Sequence, residues 1–253
     1  MAVALATTAS CTMKTQTVGG KQTSQTFRWK SKRTGDMPYL LHLPKGYSPH
    51  ARYRWPLLVF LHGAGERGRN VQRVAIHGPM SLVKEGTNFP FIIVAPLCPA
   101  GERWKNDSLS LLLDHVTKKY RVDESRVYLT GISMGGYATW NLAIDHPERF
   151  AAIAPICGGG SLISLVLAQH YETNRLTQLK QVGVWAFHGG KDNIVPAEES
   201  DRMVSALKKL DVKDVKLTVY PNTEHNSWTE TYNNPELYEW LLKHRRPPLK
   251  STQ

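Results

Sequence analysis

Ser133 lies in a sequence that is typical of a catalytic nucleophile. It is the central residue of Gly-Ile-Ser-Met-Gly at positions 131–135, with a β-branched and aromatic stretch before it and a helix-like stretch after it. A G-x-S-x-G turn between a strand and a helix is the nucleophile elbow, in which the turn is so tight that the serine backbone is strained and its neighbours must be small. A bare motif of this kind occurs by chance in roughly one chain in ten of this length. The assignment therefore depends on partners elsewhere in the chain.

Two other side chains could activate this serine, because each follows an apolar strand of its own. Asp192 comes after the predicted strand 182–187, and His225 comes after the predicted strand 215–220. Taken alone, Asp192 is more often a turn residue, and His225 is more often a surface or capping histidine. The chain order Ser, Asp, His, with each residue at a strand end, is that of the triad in α/β-hydrolases. We therefore expect Ser133 to be the nucleophile, His225 the general base and Asp192 the carboxylate that orients it.

A glycine-rich loop at positions 62–68, His-Gly-Ala-Gly-Glu-Arg-Gly, follows another apolar strand. Small residues let backbone N–H groups approach a ligand closely, so the loop could supply one donor of an oxyanion hole. The N–H of Met134, next to the nucleophile, could supply the other donor. A tight turn without a ligand is the other interpretation of this loop. His62 and His188 lie at strand-to-glycine junctions and are weaker candidates for the general base.

Strands and helices alternate along the chain. This alternation is needed if Ser133, Asp192 and His225, which follow different strands, are to meet. The predicted strands are 39–44, 56–63, 89–95, 127–130, 150–156, 182–187 and 215–220, and the predicted helices are 109–120, 134–146, 198–210 and 235–245. This alternation predicts an α/β fold in which a mostly parallel, twisted sheet carries helices on both faces. Ligands bind at the carboxyl ends of the strands in such sheets. We expect one domain at 27–247, a flexible tail or targeting remnant at 1–26 and a short tail at 248–253.

Composition argues against several classes of function. The chain has 253 residues, and no apolar run reaches the roughly 18 residues that a transmembrane helix needs. The net charge of +11 is spread over tails and helix faces without a nucleic-acid-binding signature, so we expect a solvated basic surface and no specific nucleic-acid partner. The three cysteines show no metal-ligand spacing, and neither a metal nor a cofactor is expected. Cys98 and Cys157 are expected to be small buried side chains, with a disulfide between them as the alternative.

The first residues of the chain leave its location open. They are small and weakly apolar, as at the end of a secretory signal, but they lack a basic n-region. Both a cytoplasmic and an exported protein fit this composition, and the sequence does not predict an oligomeric state.

Five segments together resemble the single-domain α/β-hydrolases known as predicted peptidases, which are relatives of feruloyl and acetyl xylan esterases, polyhydroxybutyrate depolymerases and the prolyl oligopeptidase catalytic domain. The segments are 62–68, 131–136, 145–150, 187–192 and 224–228, and the similarity spans about residues 39–242. The resemblance implies the triad described above and an oxyanion hole formed by the N–H groups of Ala64 and Met134. It also implies that Trp104 faces the active-site cleft.

The expected function is hydrolysis of a small-molecule or polymer-attached carboxylic ester through an acyl-enzyme on Ser133. The short connection after the fifth predicted strand leaves no room for a large lid, so the cleft should admit short-acyl or aromatic esters of the acetyl and feruloyl types. Trp104 and Trp228 could contact a sugar or an aromatic acid. Arg67 and Arg103 could bind a carboxylate or a phenolate. Two alternatives stay open: a small-peptide or amide hydrolase of the prolyl oligopeptidase-like group, and a non-catalytic binding module with a hydrolase fold.

Overall fold

The computed structural model describes residues 19–30 and 34–247, and it contains one mixed sheet of eight strands. In chain order the strands are β1 (Gln22–Lys30), β2 (Thr34–His42), β3 (Trp55–Leu61), β4 (Ile92–Pro96), β5 (Val122–Ile132), β6 (Ala152–Ile156), β7 (Gly183–Gly189) and β8 (Val215–Tyr220). Their spatial order is β1-β2-β4-β3-β5-β6-β7-β8. β2 pairs antiparallel with β1 and with β4, and the remaining pairs are parallel. This is the mostly parallel sheet that the sequence predicts, in the arrangement of an α/β-hydrolase.

Helices lie in every connection from β3 onwards and after β8. Within the described residues they are α1 (Gly78–Lys84), α2 (Asn106–Lys119), α3 (Met134–Asp145), α4 (Leu162–Tyr171), α5 (Thr173–Leu179), α6 (Glu198–Lys209), α7 (Trp228–Asn233) and α8 (Pro235–Lys243), with short 3-10 helices at Ala64–Glu66, Val71–Ala75 and Pro147–Arg149. The four predicted helices correspond to α2, α3, α6 and α8. The sequence gives no clear signal for α1, α5 and α7, because a helix of six or seven residues is too short for its period to be recognised.

β1 is the main strand that the sequence prediction lacks. Of its side chains only Phe27 is buried, so no apolar run marks the strand. Its backbone nevertheless pairs with β2 along its whole length, from Gln22 opposite His42 to Lys30 opposite Thr34. The sheet therefore begins at Gln22, ahead of the predicted domain start at Phe27. Residues 1–18 and 248–253, which hold most of the two predicted tails, lie outside the described part of the chain.

Both faces of the sheet are covered, because the central strands bury side chains in both directions. Leu57 and Val59 of β3 belong to one apolar cluster, to which α2, α3 and α6 also contribute. Leu58 and Phe60 of the same strand belong to a second cluster with α1 and α8. Burial on both faces explains the nearly continuous apolar runs in the sequence. It also fixes the strand ends relative to one another, which a site built from several strands requires.

The connection from β6 to β7 holds two short helices, α4 and α5, so it adds no large lid over the strand ends. The described helices include none that combines the length and the apolar character needed to span a bilayer.

Phe60 offers a test of the second cluster. Its ring is fully buried and packs edge-on against Tyr232, with 5.7 Å between the ring centroids. We expect Phe60→Ala to lower the free energy of unfolding by about 3–5 kcal/mol, because it removes buried apolar surface and leaves a cavity. Chemical denaturation followed by tryptophan fluorescence measures this loss.

Tyr171→Ala is the matched control, since Tyr171 is 80% exposed. Its removal should change the free energy of unfolding by less than about 0.5 kcal/mol. Equal losses in the two variants would contradict the place given to Phe60 in the core.

Candidate active site

Ser133 occupies the turn between β5 and α3 in a backbone conformation that L-residues rarely adopt. Its φ is 52° and its ψ is −114°, and a positive φ strains any residue with a Cβ atom. The Ser133 N–H donates to the carbonyl oxygen of Ile156 at the end of β6, at 2.9 Å. The predicted elbow is therefore present as a strand, a strained serine and a helix.

Glycines flank this serine because α3 begins directly against the strand ends. A Cβ atom on Gly135 would overlap the carbonyl group of Leu61, the last residue of β3. A Cβ atom on Gly136 would lie 2.5 Å from the carbonyl oxygen of Ile156. The first turn of α3 is thus held between β3 and β6 at distances that no larger residue permits.

The structure brings Ser133, Asp192 and His225 together. His225 Nε2 lies 3.0 Å from Ser133 Oγ, and His225 Nδ1 lies 2.7 Å from Asp192 Oδ2. The serine hydroxyl can donate to Nε2 while Nδ1–H donates to the carboxylate. Because β7 and β8 pair up to Gly189 opposite Tyr220, the loops that carry Asp192 and His225 leave adjacent strand ends. The His225 side chain is 19% exposed and that of Asp192 is fully buried, so only the histidine of this pair is open to solvent.

Asp192 is held as a carboxylate by the donors around it. Its Oδ1 accepts the backbone N–H groups of Ile194 and Val195, each at 2.9 Å, and its Oδ2 accepts from His225. Burial alone would raise the pKa of Asp192, but the hydrogen bond from His225 and those from the two backbone N–H groups outweigh it and hold the pKa below its usual value. An ionised Asp192 can both orient His225 and stabilise its protonated form.

The two N–H groups predicted for an oxyanion hole belong to the first residues of helical segments. Met134 begins α3, and Ala64 begins the 3-10 helix that follows β3. The first N–H groups of a helix have no acceptor within it and carry partial positive charge. β3 and β5 pair up to Leu61 opposite Gly131, so both segments start at neighbouring strand ends. The two donors thus lie beyond the same edge of the sheet as Ser133.

His62 holds the glycine-rich loop in place, a role that sequence reasoning did not assign. Its buried ring donates from Nδ1 to the carbonyl oxygen of Gly63 at 2.6 Å and accepts at Nε2 from the backbone N–H of Cys98 at 3.0 Å. Burial lowers the pKa of His62 to about 4, so the ring is neutral near pH 7. The loop after β3 is therefore fastened to the segment after β4. The only local signal for this role is a histidine that directly follows a buried strand.

The two tryptophans predicted to contact substrate both lie against histidines of the site. Trp228 begins α7 and packs edge-on against His225, with 5.5 Å between the ring centroids. Trp104 is half-buried, packs against His62 at 4.9 Å and donates its indole N–H to the His62 carbonyl at 3.1 Å. It also lines a surface cavity of about 1010 Å³. Their contact with a substrate stays a prediction.

The predicted arginine contacts have different surroundings. Arg67 donates from Nε to the carbonyl oxygen of Ala64 at 2.9 Å and from Nη1 to that of Glu102 at 3.0 Å. It therefore braces the glycine-rich loop against the segment after β4, and part of its guanidinium is already engaged. Arg103 is exposed and lines the same cavity as Trp104.

Cys98 and Cys157 are two separate, buried thiols, so the alternative of a disulfide between them does not hold. Burial raises the pKa of Cys98 to about 11 and that of Cys157 to about 12, and both stay protonated near neutral pH. Across residues 19–30 and 34–247, no three His, Cys, Asp or Glu side chains converge in a way that could hold a metal ion.

The glycine contacts at the elbow generate a direct test. Gly135→Ala is expected to lower the free energy of unfolding by about 3 kcal/mol, because the new methyl group must displace the end of β3. Gly65→Ala is the matched control: a Cβ atom there meets nothing within 4 Å. Thermal unfolding of both variants measures the difference, and an unchanged midpoint for Gly135→Ala would mean that the elbow is not packed as described.

Known proteins similar to this chain are hydrolases by name. The bifunctional acetylxylan esterase/xylanase of Neocallimastix patriciarum is 26% identical over 211 residues, which are 79% of this chain and 27% of that protein. Poly(3-hydroxyalkanoate) depolymerase C of Paucimonas lemoignei is 29% identical over 142 residues, which are 49% of this chain and 32% of that protein. This chain therefore spans a third or less of the length of these curated relatives.

The structural comparison agrees with the sequence comparison. The crystal structure of a thermostable esterase superposes with a TM-score of 0.70 at 30% sequence identity, covering 88% of this chain and 63% of the other. Residues 100–237, more than half of the 253-residue chain, match the dienelactone hydrolase family. This stretch holds Ser133, Asp192 and His225, and it lies within an α/β-hydrolase fold. The chain belongs to the dienelactone hydrolase family.

Proposed function

We propose that this chain hydrolyses carboxylic esters through an acyl-enzyme formed on Ser133. The observation that carries the proposal is the chain of hydrogen bonds from Ser133 Oγ through His225 to Asp192, at 3.0 and 2.7 Å. Membership of the dienelactone hydrolase family supports the reaction class. So does the similarity to proteins named as an acetylxylan esterase and a depolymerase.

In the proposed first half-reaction, Ser133 Oγ attacks the ester carbonyl carbon while His225 Nε2 takes the hydroxyl proton. His225 then returns that proton to the leaving alkoxide as the carbon–oxygen bond breaks, so an alcohol departs and the acyl group stays on the serine. In the second half-reaction, a water molecule attacks the acyl carbonyl and gives its proton to Nε2. The acid is released when that proton returns to Ser133 Oγ.

Three other groups stabilise charge in these steps. Asp192 keeps the Nδ1–H of His225 in place and balances the positive charge that His225 gains. The N–H groups of Ala64 and Met134 donate to the carbonyl oxygen as it becomes negative. Loss of one such donor typically lowers turnover by roughly 10²–10³.

The proposed substrates are short-acyl or aromatic esters of the acetyl and feruloyl types, free or attached to a polymer. The connection between β6 and β7 holds only α4 and α5, which leaves the strand ends open to a bulky alcohol group. Trp228 packs against His225 and offers an aromatic face to the acyl group. Trp104 and Arg103 line a surface cavity whose lining does not include the triad residues.

Two other functions are distinguished by simple assays. A small-peptide or amide hydrolase would cleave aminoacyl amides at rates comparable to those for esters with the same acyl group. A non-catalytic binding module would turn over neither substrate. The strained φ of Ser133 favours catalysis only together with its hydrogen bond to His225, because Cys157 and Asp211 also have a positive φ.

Ser133→Ala tests the proposal most simply. The variant is expected to fold normally and to hydrolyse p-nitrophenyl acetate at no more than about 10⁻³ of the wild-type rate, because the nucleophile is gone. It should also fail to react with a fluorophosphonate probe that labels the wild type. Ser205→Ala, a serine substitution on α6, serves as the control and should keep wild-type turnover. Turnover near the wild-type level in Ser133→Ala would refute the assignment.

Trp228→Ala tests the proposed aromatic preference. The ratio of kcat/KM for methyl ferulate to kcat/KM for methyl acetate, which has the same alcohol group, is expected to fall roughly fivefold, since the lost ring contact matters only for an aromatic acyl group. Trp228→Phe should keep most of the ratio. An equal fall for both esters would show that Trp228 supports His225 rather than contacting substrate.

A further inference from the structure

His188 is a second imidazole beside the carboxylate of Asp192. It lies near the end of β7, its side chain is fully buried, and its Nε2 is 3.2 Å from Asp192 Oδ2. This is the same oxygen that accepts from His225 Nδ1 at 2.7 Å. His225 and the two backbone N–H groups on Oδ1 are the hydrogen-bond donors of this carboxylate, and His188 adds a close contact without hydrogen-bond geometry.

The neighbours of His188 decide where its proton lies. Nε2 is 2.9 Å from the carbonyl oxygen of Val195 as well as 3.2 Å from Asp192 Oδ2. A carbonyl oxygen and an ionised carboxylate can only accept, so Nε2 must carry a hydrogen.

The other ring nitrogen does not alter this result. Nδ1 lies 2.7 Å from Ser200 Oγ, and that hydroxyl also lies 3.0 Å from the carbonyl oxygen of Gly158. If the hydroxyl donates to Nδ1, His188 is neutral; if it donates to Gly158, Nδ1 can carry a second proton. In both arrangements Nε2–H donates to the Val195 carbonyl oxygen and lies beside Asp192.

We propose that His188 is a positioning residue of this site: its Nε2–H, held by the Val195 carbonyl oxygen, lies 3.2 Å from the Oδ2 atom that accepts from His225, and the positive end of this N–H dipole limits how strongly Asp192 stabilises protonated His225. The inference rests on the function proposed for Ser133, His225 and Asp192. Its consequence is that His188 helps to set the pH at which His225 becomes available as a base, although it never touches the substrate.

Other titratable groups face the same network from neighbouring elements. Cys157 follows β6, and burial raises its pKa to about 12. Tyr137 lies in α3, and burial, together with the negative charge of Glu199, raises its pKa above the usual value. Both groups stay neutral below pH 8. Glu199 on α6 is paired with Arg202. Neither Cys157 nor Tyr137 therefore changes charge in the acid limb of the activity profile.

The wild-type protein provides the first test, because the protonation of each imidazole nitrogen can be read from long-range ¹H–¹⁵N spectra. We expect the His188 signals, assigned by their loss in His188→Gln, to show a protonated Nε2 at pH 7. An unprotonated Nε2 would overturn the proposal, whatever the activity of the protein.

The pH profile of kcat/KM provides the second test, with active sites counted by fluorophosphonate labelling. His188→Phe removes the N–H group, so the Asp192 carboxylate should stabilise protonated His225 more strongly. The acid limb of the profile should then move to higher pH by roughly half a unit or more. His188→Gln keeps an N–H donor at this end of the side chain, so its acid limb should lie at the same pH as that of the wild type. If His188 had a purely structural role, His188→Phe would have a lower melting temperature and a smaller fraction of probe-labelled protein, but the acid limb of its kcat/KM profile would not move. That result would overturn the proposal. Failure of the probe to label wild-type Ser133 would instead refute the proposed function.

Discussion

The close approach of α3 to the ends of β3 and β6 is the constraint on which the rest of the structure depends. Gly135 and Gly136 let the first turn of the helix touch the carbonyl groups of Leu61 and Ile156. Ser133 must then take a positive φ to connect β5 with that helix. The same geometry points the free N–H groups of the helix start towards the strand ends, where an ester carbonyl would lie. One packing constraint thus accounts for the place of the nucleophile and for one donor of the proposed oxyanion hole.

Three histidines near this edge of the sheet have different tasks because their partners differ. His62 is hydrogen-bonded to backbone groups, and burial lowers its pKa and keeps its ring neutral, which suits it to fastening a loop. His225 is partly exposed and lies between a hydroxyl and a buried carboxylate, the surroundings of a general base. His188 is buried against the same carboxylate and lies away from the nucleophile. Local environment, and not residue type, separates the proposed base from the two supporting histidines.

The sequence was most informative where a residue follows a strand with a continuous apolar run. Ser133 and Asp192 do so, and His225 follows β8, whose sequence alternates between apolar and polar residues. The ends of parallel strands share one edge of the sheet, so the meeting of the three residues could be predicted from chain order. β1 could not be predicted, because it is held by backbone pairing with β2 while most of its side chains are polar or exposed. The supporting parts of the site were also hidden. His62 bonds to the backbone of Cys98, and His188 bonds to Ser200, partners that no local pattern identifies.

The central claim is that Ser133 carries the acyl group during turnover. It is tested most directly by mixing the protein with a slowly hydrolysed ester, quenching in acid and measuring the mass of the peptide that contains Ser133. The account predicts a mass increase equal to one acyl group on that peptide, formed and lost at rates consistent with turnover. Ester hydrolysis that proceeds without any acylated peptide, or with the acyl group on a different residue, would contradict it.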